Sequence, residues 1–190
     1  MKIVPTEFVA TATAITPFRQ EHISSAYLGW LRDPEINQFL VGVSELTGID
    51  DIETFCGKMM ESENDYFFAI VTHPERTHIG NVRLGPISWA DKTTGFGIML
   101  GDQRFQGRGH AAEALSLVER FCFETLDLKL LAFPVVHGHD KALHLYRRNG
   151  YHEHADWPER FRKGAVDLPL IRFSKTKADW KSHRQSETSS

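Results

Sequence analysis

The stretch Asp102-Gln103-Arg104-Phe105-Gln106-Gly107-Arg108-Gly109-His110-Ala111 joins a strand to a long helix, and its two glycines open that helix. Before it, Phe96, Ile98 and Leu100 alternate with Gly97, Met99 and Gly101, the period of a strand. After it, from Gly109 to about Leu126, the apolar residues Ala111, Ala114, Leu115, Val118, Phe121 and Cys122 recur at spacings of three and four. Glu113, Glu119 and Arg120 lie off that stripe, so the segment predicts an amphipathic helix. The first turn of a helix carries N–H groups with no internal partner, and the helix dipole favours an anion there. Gly107 and Gly109 let a ligand approach the backbone, small Ala111 and Ala112 keep the turn open, and Arg104 and Arg108 add positive charge. A phosphate or pyrophosphate suits such a site. Three readings compete: a plain surface turn, a dinucleotide site through Gly107, Gly109 and Ala112, and a coenzyme A site. The dinucleotide fingerprint belongs in an early βαβ unit followed by an acidic strand end, whereas here the next strand ends Val135-Val136-His137.

Upstream of the loop, a strand is expected over Phe8 to Ile15, a helix from about Glu21 to Leu31, a short helical segment from Pro34 to Phe39, and a helix from Asp50 to about Glu61. Tyr66 to Val71, His78 to Leu84 and Gly95 to Leu100 read as strands. Downstream, Lys129 to Val136 is apolar almost throughout, as a strand covered on both faces would be. Asp140 to Asn149 predicts a helix with Gly150 as its C′ residue. Tyr151 to His154 and Val166 to Ser174 complete a mixed sheet with helices on it. Residues 1–175 read as one domain, and 176–190 as a polar, flexible tail on which Trp180 alone could dock.

The bulk numbers narrow the class. A chain of 190 residues, 41% hydrophobic, with net charge −3 and interspersed charges, gives no broad basic face for nucleic acid. No apolar run reaches the ~20 residues of a spanning helix, and Met1 to Ala10 lacks a signal-peptide core. No membrane partner and a cytoplasmic location are therefore expected. Cys56 and Cys122 read as buried free thiols.

Gln106-x-x-Gly109-x-Ala111 resembles the Q/R-x-x-G-x-G/A motif of the GNAT superfamily of N-acetyltransferases. Gly109-His110-Ala111-Ala112-Glu113-Ala114-Leu115 resembles the form found in its ribosomal-protein N-acetyltransferase (RimJ/RimL-like) branch. Tyr27 to Asp33, Leu145 to Tyr151 and Val166 to Leu170 resemble further blocks in the same order. The resemblance spans roughly residues 8 to 180. It implies an α+β, three-layer fold: a mixed, mostly antiparallel central sheet flanked by helices, with strands splayed at the acyl-CoA site. It also implies acetyl-CoA as co-substrate and direct attack by an amine-bearing acceptor in a ternary complex. Ile98, Met99 and Leu100 would pair with the pantetheine arm, with the N–H of Met99 or Leu100 polarising the thioester carbonyl. Gln106, Gly107, Arg108, Gly109, His110 and Ala111 would hold the phosphates. Tyr146 would be the general acid, although a tyrosine there can also simply pack its ring. His139 stands where the family often carries a cofactor-contacting Asn. Ala142 replaces a Ser that the ribosomal branch uses to protonate the thiolate.

The residues single out no general base: His137 and His139 are candidates because histidine is the residue type suited to proton transfer near neutral pH, and Glu45 and Asp91 are weaker candidates. His137, His139, His144, His152 and His154 invite a metal reading, but no closed ligand set accompanies them, and none is expected. The acceptor pocket would use Val41 to Gly48, Ser88 to Lys92 and Trp157 to Lys163, with Trp30, Trp89, Trp157 and Phe161 as candidate lining. The basic, aromatic Trp157 to Lys163 run could hold an anionic acceptor or be a solvated hairpin. By resemblance the acceptor leans to a nucleotide-linked amino sugar, over a protein N-terminus or a small amine. A monomer or homodimer is expected. A non-catalytic acyl-CoA sensor on the same fold is the alternative.

Overall fold

The computed structural model describes residues 2–40, 48–154, 159–163 and 166–188. In chain order these form β1 (Phe8–Val9), β2 (Thr13–Pro17), α1 (Ser25–Arg32), α2 (Pro34–Asn37), α3 (Ile49–Glu61), β3 (Tyr66–Thr72), β4 (His78–Leu84), β5 (Thr93–Thr94), β6 (Phe96–Leu100), α4 (His110–Arg120), β7 (Leu130–Val136), α5 (Asp140–Arg148), β8 (His152–His154), β9 (Arg160–Lys163), β10 (Val166–Thr176) and α6 (Lys177–Thr188).

Strands β1-β2-β3-β4-β6 make one antiparallel sheet, and β5-β7-β10-β8 make a second, with β9 paired to β10. The central strand shows how the three layers arise. Every residue of β3 is buried, and alternate side chains serve opposite faces. Tyr66, Phe68 and Ile70 join Leu115, Val118 and Phe121 of the α4 layer. Phe67, Ala69 and Val71 join Tyr27, Trp30, Leu31, Ile52 and Cys56 of the α1 and α3 layer. This is the mixed, mostly antiparallel sheet between helices that the sequence implies.

Several elements depart from expectation for local reasons. The first expected strand is a hairpin, because a tight turn closed by Ala10 N–H to the Thr13 carbonyl separates β1 from β2. The expected helix from Glu21 shortens to a 3-10 turn at Gln20–His22, and α1 begins only after Ser24 caps it. Helix α4 continues as a π-helical turn over Phe121–Thr125. The polar C-terminal stretch is helical rather than loose. Thr176 and Asp179 exchange hydrogen bonds as a capping box, and buried Trp180 lies on Phe123 at 5.4 Å. Both cysteines are free and buried.

Candidate active site

The two sheets meet at one short joint. Thr93 and Thr94 of β5 pair in parallel with Leu130 and Leu131 of β7, and β6 then runs on along β4 alone. Gly95 lies at this joint, where a Cβ would meet the Ala132 carbonyl oxygen at 3.0 Å. Beyond it β6 and β7 diverge, leaving a wedge between two strands that run the same way.

The register fixes which backbone groups face that wedge. The Gly85 N–H donates to the Gly95 carbonyl, and the Gly101 N–H to the Ile79 carbonyl. Between these ends the β4 and β6 partners run in an unbroken antiparallel register. Odd-numbered residues of β6 therefore bond to β4, and Phe96, Ile98 and Leu100 turn their N–H groups to the wedge. Met99 has its N–H directed to β4 and its side chain against the α1 and α3 core. That removes Met99 as a backbone donor and leaves Ile98 and Leu100. On the opposite strand, the His137 N–H bonds to the Pro169 carbonyl, so odd residues of β7 pair with β10. Pro134, an even residue, sits with its ring nitrogen on the wedge side, where no ladder bond is lost.

At the mouth of the wedge stands the loop before α4. Gly107 has φ 72° and Gly109 has φ 89°, left-handed values that favour glycine, and open space surrounds both. Ala112 and Glu113 donate back to the Gly109 carbonyl. Among the described residues, no hydrogen bond is donated by the N–H groups of Gly107 to Ala111. Helix α4 is pinned to β2: the His110 ring lies 2.9 Å from the Thr13 hydroxyl, and Glu113 accepts from the Ala12 N–H. The His110 side chain is thus buried structure, and only its backbone is available to a ligand. Arg108 is exposed beside the loop. Arg104 is committed to Asp102 at 2.7 Å, which holds that carboxyl below its ordinary range.

The Gln106 side chain does something its sequence position does not reveal. Its amide donates to the Leu100 carbonyl at 3.0 Å, and its oxygen accepts from Lys141 of α5 at 2.9 Å. It spans the wedge from the end of β6 to the start of α5. No sequence signal marks that pair, since the partners are 35 residues apart.

Tyr146 lies between the diverging strands. Its ring centroid is 4.7 Å from Phe133 of β7 and 6.0 Å from Phe96 of β6, with Tyr151 and Phe173 behind it. Burial pushes its phenol above the ordinary tyrosine range, so it holds its proton at neutral pH. His139 caps α5 and stacks on Phe39 with centroids 4.1 Å apart and planes 8° from parallel. Burial, then Lys141, lowers its pKa. Phe39, like Leu168, also packs against the cluster of Val136, Phe161 and Leu170, so the chain after α2 closes the far end of β7.

Other candidates fall elsewhere. Val41 to Thr47 and Trp157 lie outside the described residues. Trp89 is exposed and bonds to Asn64, and Asp91 bonds to Ser88. In the basic run, Arg160 pairs with Asp167 at 2.6 Å and Phe161 is buried, so part of its charge is already met. Trp30 packs on Gly101, where a Cβ would overlap its ring, and faces His78 at 5.0 Å. His78 and His22 stand 5.0 Å apart, and burial first, then His78, lowers His22 to about 4. Among the described residues no three metal-ligating side chains converge, and no helix is long and apolar enough to cross a membrane.

The domain model described as Acetyltransferase (GNAT) domain matches residues 13–152. No curated protein matches. A GCN5-related N-acetyltransferase from Brucella melitensis superposes with a TM-score of 0.78, covering 100% of this chain and 86% of that one at 18% identity. The spermidine N-acetyltransferase from Vibrio cholerae, solved with CoA and spermine, gives 0.76, covering 89% of this chain and 98% of that one at 19% identity. At such identities the likeness establishes a common fold.

Proposed function

The chain belongs to the GNAT acetyltransferase family, its co-substrate is acetyl-CoA, and we propose that it transfers the acetyl group to a primary amine by direct attack in a ternary complex. The observation that carries this reading is the wedge between β6 and β7, edged by open N–H groups and flanked by a protonated tyrosine.

The donor set suits a ligand with phosphates at one end and amides along its arm. The Gly107 to Ala111 N–H groups would bind the pyrophosphate. Ile98 and Leu100 would pair with the pantetheine arm and polarise the thioester oxygen. A preorganised donor of that kind is worth ~2.7–4 kcal/mol in the transition state. Bound acetyl-CoA supplies the activated acetyl group. Tyr146, which keeps its phenolic proton at neutral pH, would give it to the departing sulfur. His139, stacked on Phe39, lines the acceptor end rather than the phosphate end in this reading. Membership of the RimJ/RimL-like branch rests on the four sequence blocks.

For the acceptor we propose a small primary amine. The amino-sugar leaning loses part of its support because Arg160 is paired with Asp167, and a structural neighbour binds spermine. The test is release of free thiol from acetyl-CoA across a panel of polyamines, nucleotide-linked amino sugars and peptides with free N-termini. Turnover on a small amine is the expected result. Tight acetyl-CoA binding with no turnover across the panel would overturn the enzymatic reading in favour of the sensor.

A further inference from the structure

One buried ion pair lies outside the wedge. Lys175 of β10 donates to Glu119 of α4 at 3.0 Å, with side chains only 1% and 7% exposed. Burial pushes the Glu119 carboxyl up, against the pull of the Lys175 ammonium. Burying two charges is costly, and well-packed apolar residues would serve stability as well or better. The pair therefore invites a role beyond stability.

Its third contact supplies one. The Lys175 ammonium also donates to the Asn149 carbonyl at 2.7 Å, at the C-cap of α5. Asn149 and Tyr151 in turn donate their N–H groups to the Tyr146 carbonyl at 3.2 and 3.1 Å. The same ammonium lies 5.1 Å over the Tyr151 ring, whose centroid is 5.5 Å from that of Tyr146. The Tyr151 hydroxyl is buried beside the Glu119 carboxyl, so that ring is held by packing, by that carboxyl and by the cation above it. Lys175 thus joins α4, which begins at the phosphate loop, to the last turn of α5, which carries Tyr146.

We propose that Lys175, seated by Glu119, is a positioning residue that sets Tyr146 against the acetyl-CoA wedge. This rests on the reading of Tyr146 as the proton donor. The test is a comparison of Lys175→Met/Glu119→Leu, Lys175→Gln/Glu119→Gln, Glu119→Gln and Tyr146→Phe. The first two remove both charges together, so neither leaves an unpaired buried ion. Methionine supplies no donor to Asn149, and the glutamine amide ends one bond short of the lysine nitrogen. We expect each folded double variant to keep its thermal midpoint and its KM for acetyl-CoA within about twofold, while kcat falls about tenfold or more. Glu119→Gln leaves the buried ammonium without its counter-ion and is expected to lower the thermal midpoint more than either double variant does; a midpoint equal to theirs would show that Glu119 does not seat Lys175. Adding Tyr146→Phe to a double variant should cost less than it does alone, since coupled residues are not additive. Parental kcat in either folded double variant, with Tyr146→Phe impaired, overturns the positioning role. Parental kcat in Tyr146→Phe itself overturns the proton-donor reading instead.

Discussion

The wall formed by β6 and α4 presents backbone atoms to the wedge, whereas the wall formed by β7 and α5 presents side chains. On the first, Ile98, Leu100 and the Gly107 to Ala111 loop would act, in the proposed reading, through N–H groups whose direction is set by register and by left-handed glycines. On the second, Tyr146 and His139 would act through rings placed by contacts with Phe133, Tyr151 and Phe39. The contrast teaches that one wall is vulnerable to changes in backbone path and the other to the loss of single functional groups.

The strongest way to probe the side-chain wall is Tyr146→Phe, which keeps the ring and removes the proton. Its kcat should fall by about 10²–10⁴, the usual worth of a general acid, with KM for acetyl-CoA nearly unchanged. Steady-state kinetics at saturating acceptor decide it; an unaltered kcat would take Tyr146 out of the chemistry.

The backbone wall should yield to a change behind it. A Cβ at Gly80 would overlap the Met99 carbonyl oxygen, moving the peptide whose other side is the Leu100 N–H. Gly80→Ala should therefore lower kcat by up to about 10²-fold, as a misplacement of about 1 Å can. A folded variant with parental kcat would show that this peptide does not carry the donor.

Gly109→Ala tests the loop. An L side chain at φ 89° is strained by about 1–2 kcal/mol. KM for acetyl-CoA should rise about tenfold if the loop must keep this shape to bind, and kcat should hold. A kcat defect with normal KM would shift the loop's role from binding to chemistry.

The backbone wall also has a pH-sensitive buttress. His22 is held near 4 and His78 is lowered, against about 6.5 in an unfolded chain. Between these values the unfolded chain binds protons that the folded one does not. This contribution to stability is therefore fully present above pH 6.5 and declines towards pH 4, by roughly 1 kcal/mol per unit of pH for His22, with His78 adding in the same direction. Denaturant unfolding across that window should show the slope, and His22→Phe should flatten it. An identical slope in the variant would assign the loss elsewhere.

The smallest effect is expected at Met99. Its N–H is turned to β4 and its side chain lies on the far core. Met99→Leu should leave KM for acetyl-CoA within about twofold, at a stability cost below about 1.5 kcal/mol. A fivefold rise in KM would return Met99 to the wedge.

Much of the donor side was legible in the sequence because its determinants are local. Gly107 and Gly109 mark left-handed turns, the three-and-four spacing after them marks α4, and Phe96 to Leu100 alternate as a strand must. What escaped did so for an equally physical reason: β5 has two residues, too short for a period, and the turn that splits the expected Phe8 to Ile15 strand into β1 and β2 leaves no break in its run. β9, read only as a possible hairpin, carries the polar Arg160 and Arg162. The terminal helix was masked by its polar composition, although Thr176, Asp179 and Trp180 hold its cap and its anchor.

What the sequence alone determined is the chemistry that neighbouring residues make together: an N–H-rich loop at a helix start, a tyrosine near the end of a later helix, and a family pattern joining them. The tertiary structure decided the directions. Whether Met99 or Leu100 faces the wedge depends on hydrogen bonding to β4, which a strand's own period cannot reveal, because the N–H alternates between two neighbours that only the sheet supplies. Likewise Gln106 meets Lys141, Phe39 meets His139 and Lys175 meets Glu119 across 35 to 100 residues of chain. Such contacts arise from packing in three dimensions, and no local pattern in the sequence encodes them.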